Sequence, residues 1–127
     1  MTIKSASTLV AEALMEIKTI SPEEALEKLN NDTCNLIDIR DVRELERLGR
    51  IEKSSHIPRG MLEFWMDPDS QYFKDGKIDM NKEMVLFCAG GLRSALSAKS
   101  LQEMGFKKVS HIDGGFASMR NNGFKIT

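Results

Sequence analysis

The stretch that decides the fold covers residues 84–94 and reads MVLFCAGGLRS. Its first four residues form a continuous apolar run, which is typical of a strand buried on both faces. Small and apolar side chains then recur at helical spacing over residues 94–104, and Gly105 is a suitable C-terminal stop. This order predicts that Cys88 lies at the carboxyl end of a buried strand, directly before a helix.

Strand and helix patterns alternate along the rest of the chain. Five strand candidates are centred near residues 18, 37, 56, 86 and 110. The helix candidates that separate and flank them cover residues 5–16, 22–29, 42–48, 61–66, 94–104 and 116–120. Such alternation predicts an α/β fold with a five-stranded parallel sheet in a three-layer α/β/α arrangement. In sheets of this kind, functional sites lie beyond the carboxyl ends of the strands.

Local signals predict how these elements begin and which side chains they bury. The segment Ser21–Glu24 is a strong helix start, with Ser21 as the N-cap and Glu24 completing a capping box. Asp75-Gly76 signals a turn. The residues expected to face the core are Leu9, Val10, Ala13 and Leu14 in the first helix and Val42, Leu45 and Leu48 in the third.

The size and composition of the chain limit the class of protein to which it can belong. A length of 127 residues predicts one domain over 1–127, with residues 1–16 as an N-terminal extension helix and 17–123 as the core domain. A net charge of −1 argues against a nucleic-acid partner, which would need a basic face. No apolar run of about 18 residues is present, which argues against a membrane span. The N-terminal stretch is too polar for a secretory signal, so we expect a cytoplasmic protein.

Several features of the loop after residue 87 converge on the sulfur of Cys88. The following helix directs its N-terminus, with unpaired N–H groups and partial positive charge, into the loop. Gly90 and Gly91 allow successive amides to turn inward as an anion-binding nest, and Arg93 adds a positive charge. Because each of these lowers a thiol pKa, Cys88 is predicted to be a reactive thiolate. Cys34 has no such neighbours and is predicted to be a buried apolar filler.

Four stretches of the chain, in this order, match the motifs of one known family. They are Leu36–Arg40, Gly49–Ile51 with His56–Gly60, Cys88–Ser94 and Asp113–Phe116. The first ends a strand in Asp-x-Arg, and the third follows the pattern C-x-x-G-x-R-S. On these motifs, about residues 18 to 123 resemble a single-domain rhodanese-like sulfurtransferase.

The resemblance implies a sulfurtransferase in which Cys88 carries the transferred sulfur as a persulfide. Asp38 and Arg40 would form an ion pair that braces the loop, and Arg59 is a candidate to bind an anionic donor. The expected partners are a small donor, such as thiosulfate or a persulfide, and a thiol or cyanide acceptor, including a thioredoxin-like or sulfur-carrier protein. No cofactor or metal is expected. The residues that would bind the anionic sulfur are Ala89, Gly90, Gly91, Leu92, Arg93 and Ser94.

The chain departs from the family pattern at three positions. Arg50 stands where the family usually has His, and Met119 stands where it often has Trp, both of which we interpret as packing or surface changes. Ala89 occupies a loop position that is basic in some thiosulfate-using members. Because a small side chain offers the thiosulfate dianion no charge, this change argues against thiosulfate as the natural donor.

Two other functions remain open. Four residues separate Cys88 from Arg93, whereas cysteine phosphatases and arsenate reductases resemble H-C-x5-R, which is one residue longer. Phe87 also replaces the preceding His, and a shorter loop favours a smaller electrophile such as sulfane sulfur. The second alternative is a catalytically silent binding or regulatory module.

His56 and His111 lack the short ligand spacing of a zinc site.

Overall fold

A computed structural model of the chain describes residues 2–73 and 76–127. The helices are α1 (Ala6–Glu16), α2 (Pro22–Asn30), α3 (Val42–Leu48), α4 (Leu62–Met66), α5 (Leu92–Met104) and α6 (Gly115–Met119), with a 3-10 turn at Arg59–Met61. The strands are β1 (Lys18–Ile20), β2 (Cys34–Asp38), β3 (Ser55–His56), β4 (Glu83–Phe87) and β5 (Val109–Ile112). Asp75 of the predicted Asp75-Gly76 turn lies outside the described residues.

All five strands join one parallel sheet in the order β1-β5-β4-β2-β3. In this sheet Asp38 of β2 pairs with Phe87 on one side and His56 on the other. The carboxyl ends of β2, β3 and β4 therefore meet at one edge, which is where Cys88 follows β4. The prediction of a five-stranded parallel sheet is confirmed.

The sheet buries a separate apolar layer on each face. Because side chains alternate along a strand, Leu36 and Val85 pack with α2 and α6, whereas Ile37 and Leu86 pack with α1, α4 and α5. Strands buried on both faces read as continuous apolar runs, which explains the pattern that predicted them. The three-layer α/β/α arrangement is confirmed.

The first helix buries a narrower stripe than its sequence predicted. Ser5 caps α1 by accepting a hydrogen bond from the Thr8 N–H, and the helix packs against α5. Val10 and Ala13 are buried, but Leu9 and Leu14 remain largely exposed. A helix that lies on the outside of the fold against one other helix covers only the stripe that faces it.

The expectation for α3 was wrong at two of three positions. Leu45 is buried, but Val42 is 52% exposed and Leu48 is 47% exposed. A three-residue step turns a helix by about 300°, so the outer two side chains point about 60° to either side of the middle one. Leu45 faces the core in the middle of this arc, and the two outer side chains lie at its exposed edges. An Asp41–Glu44 capping box fixes its start.

The helix after Cys88 begins two residues earlier than predicted. Its N-cap is Gly91, at φ +108. Its C-cap is Gly105, at φ +107, and this end agrees with the sequence prediction. Ser21 caps α2 as predicted by accepting from the Glu24 N–H, while the Glu24 carboxylate pairs with Lys28. Within residues 2–73 and 76–127, no helix has both the length and the apolar character needed to cross a bilayer.

Candidate active site

Cys88 lies at the carboxyl end of β4 and is only 1% exposed. The strand brings it there because β4 pairs with β2 up to Phe87, and the Ile39 N–H then donates to the Phe87 carbonyl at 3.0 Å. The chain turns at residues 89–91 and enters α5, whose Ser94 N–H and N-cap Gly91 N–H point back toward the sulfur. A buried thiol thus faces the positive end of a thirteen-residue helix.

Three groups from this loop lie within hydrogen-bond distance of the sulfur. The Gly91 N–H donates to the Cys88 Sγ at 3.1 Å, the Ser94 N–H donates at 3.4 Å, and the Ser94 hydroxyl lies 3.5 Å away. Gly91 adopts the left-handed region at φ +108, which favours glycine. The glycine is therefore needed for the turn that aims its own amide at the sulfur.

The pKa of Cys88 reflects a balance between burial and these hydrogen bonds. Burial raises the pKa of the thiol, but the Ser94 hydroxyl and the N–H groups of Ser94, Gly91 and Gly90 lower it by more. The net result is a pKa below the ordinary thiol value. The site can hold a thiolate, and the same donors can stabilise any anionic sulfur that replaces it.

Arg93 forms a two-pronged ion pair that links α5 to α3. Its Nη1 and Nη2 atoms donate to the Glu44 carboxylate at 2.8 and 3.0 Å. Arg93 lowers the pKa of Glu44, and Glu44 raises the pKa of Arg93. Glu44 also accepts from the Asp41 N–H at 3.0 Å. Sequence reasoning missed Glu44 as a partner of the loop, because the capping box that it forms with Asp41 signals only the start of α3.

The back of the loop is closed by the first turn of α6. The Phe116 N–H donates to the Cys88 carbonyl at 2.8 Å, and the Ala117 N–H donates to the Ala89 carbonyl at 3.2 Å. Gly115 has φ +56, and a Cβ there would overlap the Cys88 carbonyl oxygen. Only glycine lets the two backbone segments approach this closely.

The predicted ion pair between Asp38 and Arg40 is formed and fully buried. The Asp38 carboxylate accepts from the Arg40 backbone N–H and from the side-chain Nε, both at 3.0 Å, and from Nη2 at 2.8 Å. The guanidinium lies over the Phe116 ring at 4.1 Å and donates to the Gly49 carbonyl at 3.0 Å. It thereby connects the end of β2 to α6, which holds the back of the loop.

Arg59 follows β3, and its backbone N–H donates to the Ile39 carbonyl at 3.1 Å. Its side chain is half-exposed and donates to the Glu63 carboxylate at 3.0 Å, one helical turn further along the chain. The charge of the candidate donor-binding arginine is thus balanced by an acidic neighbour.

Sequence reasoning gave no catalytic or positioning role to His111, which is 2% exposed in β5. Its Nδ1 lies 2.8 Å from the Ser94 Oγ, and its Nε2 lies 3.0 Å from the Thr19 Oγ1. Burial lowers the pKa of His111, and Asp113 opposes this weakly. The available signal was a histidine in the middle of a strand whose other side chains are apolar or small.

The structure is thus an α/β protein with a buried cysteine that accepts hydrogen bonds from backbone amides at the carboxyl end of a parallel sheet. The chain belongs to the rhodanese-like domain family: the profile described as "Rhodanese-like domain" matches residues 21–122. The putative sulfurtransferase YtwF of Bacillus subtilis is 36% identical over 102 residues, which cover 80% of this chain and 88% of YtwF. The family thus includes proteins described as sulfurtransferases.

Other curated relatives are longer than the matched region. The chain spans 52% of a putative sulfur carrier protein of Bacillus subtilis and 29% of a tRNA uridine(34) hydroxylase of Chlamydia abortus. These relatives place the same domain beside other segments.

Two solved structures are similar over nearly the whole chain. A Rhodopseudomonas palustris protein of unknown function, described as a possible tyrosine phosphatase, is 45% identical with a TM-score of 0.90, covering 100% of this chain and 98% of that chain. The polysulfide-sulfur transferase homodimer of Wolinella succinogenes is 30% identical with a TM-score of 0.73, covering 93% of this chain and 83% of that chain. The two descriptions name different chemistries.

Proposed function

We propose that the protein is a sulfurtransferase in which Cys88 carries the transferred sulfur as a persulfide. The observation that carries this proposal is the set of hydrogen bonds to the buried Cys88 sulfur from Gly91 and Ser94. These donors lower the pKa of the thiol, and they would equally stabilise the negative charge of a persulfide. Membership of a family that includes described sulfurtransferases supports the same assignment.

The proposed reaction has two half-reactions. In the first, the Cys88 thiolate attacks the outer sulfur of a donor, the donor S–S bond breaks, and its electron pair leaves with the remaining fragment. In the second, a thiolate or cyanide attacks the outer sulfur of the Cys88 persulfide, and the electron pair of that S–S bond returns to Cys88. The covalent intermediate implies ping-pong kinetics.

The charges around the loop favour a donor of low charge. Arg93 is paired with Glu44, Arg59 is paired with Glu63, and Ala89 supplies no charge at all. A persulfide or polysulfide needs less cationic help than the thiosulfate dianion, so we propose the former as the natural donor. Ala89→Lys should then improve the use of thiosulfate several-fold, mainly through KM, with little change for a persulfide donor.

The acceptor that we propose is a thiol, either of a small molecule or of a thioredoxin-like or sulfur-carrier protein. Leu92, the loop residue that begins α5, is 67% exposed and offers an apolar contact to such a partner. A mechanism that needs a free thiolate also fits a reducing compartment, and we propose that the protein acts in the cytoplasm.

The test is the mass of the intact protein after incubation with a low-molecular-weight persulfide. We expect a gain of about 32 Da, the mass of one sulfur atom, on the Cys88 peptide. Cyanide should remove this mass and release thiocyanate. Cys34→Ser, the matched control, should gain the mass as the wild type does. A protein that gains no mass, or gains it at Cys34, would contradict the proposal.

A phosphatase is the second candidate, because the similar Rhodopseudomonas palustris protein is described as a possible tyrosine phosphatase. Against it, four residues separate Cys88 from Arg93, and the Arg93 guanidinium is held by Glu44. An aryl phosphate and a sulfur donor assayed side by side separate the two. Phosphate release without a persulfide would favour the phosphatase, and silence in both assays would favour a binding module.

A further inference from the structure

A line of polar side chains runs from the Cys88 sulfur to the surface. The Ser94 Oγ lies 3.5 Å from the sulfur and 2.8 Å from the His111 Nδ1, and the His111 Nε2 lies 3.0 Å from the Thr19 Oγ1. Cys88, Ser94 and His111 are buried, whereas Thr19 is exposed. The residues come from three separate parts of the chain, the β4–α5 segment, β5 and β1, so only the assembled sheet joins them.

Counting donors and acceptors shows that this line has two arrangements. A neutral imidazole has one N–H donor and one acceptor nitrogen, and a hydroxyl can donate only one hydrogen. When Cys88 is a thiol, its S–H donates to Ser94, Ser94 donates to Nδ1, and the hydrogen of His111 must be on Nε2. When Cys88 is a thiolate, Ser94 donates to the sulfur, so Nδ1 must carry the hydrogen and donate to Ser94.

We propose that His111 is a positioning residue for the Cys88 thiolate and that it acts through Ser94. As Cys88 gains or loses its proton, His111 exchanges one neutral tautomer for the other. The inference rests on the proposed role of Cys88 as the nucleophile. In this role His111 never touches the donor or the sulfur. It holds the Ser94 hydroxyl in the direction that the charge on Cys88 requires.

The protons balance along the line. The Cys88 proton passes to the Ser94 oxygen, and the former Ser94 proton passes to the His111 Nδ1. The Nε2 proton passes to the Thr19 oxygen, and the former Thr19 proton leaves to solvent. The sulfur gains one negative charge, water gains one proton, and the imidazole stays neutral. Burial lowers the pKa of His111, against a weaker opposite effect of Asp113, which supports a neutral ring.

The second histidine of the chain provides an internal control. The His56 Nε2 lies 2.7 Å from the Arg40 backbone carbonyl, which can only accept a hydrogen bond. The Nε2 of His56 therefore carries its hydrogen whatever the state of Cys88. Any spectroscopic change that reports the Cys88 proton through Ser94 should appear at His111 and be absent at His56.

The first experiment follows both imidazoles by 15N NMR in the full chain while pH is taken through the Cys88 titration. We expect His111 to change from Nε2–H to Nδ1–H at the Cys88 midpoint, and His56 to keep its Nε2–H throughout. In Cys88→Ser the change at His111 should disappear. One unchanged tautomer at His111 in the wild type, or a change that survives in Cys88→Ser, overturns the proposal.

The second experiment is a double-mutant cycle read from the pH midpoint of Cys88 alkylation. His111→Leu should raise that midpoint by up to about one pH unit, because Ser94 loses the donor that supports its bond to the thiolate. In a Ser94→Ala background the same substitution should have no further effect. His111→Asn, which keeps an amide near the Nδ1 position, should restore part of the shift. Equal shifts in both backgrounds overturn the proposal.

Neither readout requires sulfur transfer. A tautomer change at His111 in a protein that forms no persulfide would refute the proposed function and leave the role of His111 intact. A persulfide on Cys88 with a fixed His111 tautomer would support the proposed function and refute the role of His111.

Discussion

The two cysteines lie at opposite ends of the same sheet, and their pKa values are shifted in opposite directions. Cys34 opens β2 and Cys88 follows β4, and the two strands are parallel neighbours. Both side chains are buried, at 6% and 1% exposure. Yet burial raises the pKa of Cys34 to about 11, while the pKa of Cys88 lies below its ordinary value. Burial alone therefore does not decide the reactivity of a thiol.

The direction of the sheet explains the difference. At the carboxyl end, α5 begins beside Cys88 and supplies N–H groups at the positive end of a helix. At the other end, Cys34 follows the carbonyl end of α2, and Glu83, its partner residue across the ladder, further raises the pKa of Cys34. A parallel sheet thus offers donors to a thiolate at one end only.

The largest expected effect comes from exchanging each cysteine in turn. Cys88→Ser should reduce sulfur transfer to the uncatalysed rate, because no other thiol lies at the carboxyl end of the described sheet. Cys34→Ser should keep most of the activity. Thiocyanate formation from a persulfide donor and cyanide measures both, and unfolding curves show that each variant folds. Full activity in Cys88→Ser would show that Cys88 is not the nucleophile.

Alkylation of the wild-type protein should separate the two thiols next. At neutral pH, Cys88 should react at least about a hundredfold faster than Cys34, because a thiol with a pKa of about 11 is almost wholly protonated. The rate at Cys88 should rise with pH and reach half of its maximum below the ordinary thiol pKa of about 8.5. Peptide mapping by mass spectrometry measures both, and equal rates in denaturant serve as the control.

Among the glycines, Gly115 in the first turn of α6 should be the most sensitive to substitution. Gly115→Ala should lower the free energy of unfolding by about 2 kcal/mol or more and raise the Cys88 pKa, since a Cβ would displace the Cys88 carbonyl. Gly105→Ala, also at positive φ but in open space, should cost only about 1 kcal/mol. Urea unfolding measures both. Equal costs would show that the close approach is unimportant.

The smallest effects are expected at the ion pair beside the loop. Arg93→Ala should raise the pKa of Cys88 by less than Ser94→Ala does, because Glu44 already balances the charge of Arg93. Glu44→Gln keeps an acceptor for the Asp41 N–H and should lower the pKa of Cys88 slightly by releasing that charge. The alkylation midpoint measures both. A larger shift for Arg93→Ala than for Ser94→Ala would show that the charge of Arg93 lowers the pKa of Cys88 more than the Ser94 hydrogen bonds do.

Local patterns predicted the parts of the molecule that depend on neighbouring residues. The apolar runs of β2 and β4 and the strand–cysteine–glycine–helix order placed Cys88 correctly at the end of a central strand. The Arg93–Glu44 pair spans 49 positions, and the Thr19–His111 contact spans 92. Such contacts depend on strand order and helix placement, which periodicity does not specify. The exposure of Val42 and Leu48 was missed for a similar reason, because only the assembled fold shows how little α3 buries.

The strand order also sets when the site can form during translation. β5 is the last strand in the chain, yet it lies between β1 and β4. On the ribosome, β1 and β4 cannot join one sheet until Val109–Ile112 has emerged. His111 arrives with this strand, and α6, whose first turn clamps the Cys88 carbonyl, arrives directly after it. Until then Cys88 lacks the clamp that holds its loop. We therefore expect the loop that activates this cysteine to be fully held only after β5 and α6 have emerged.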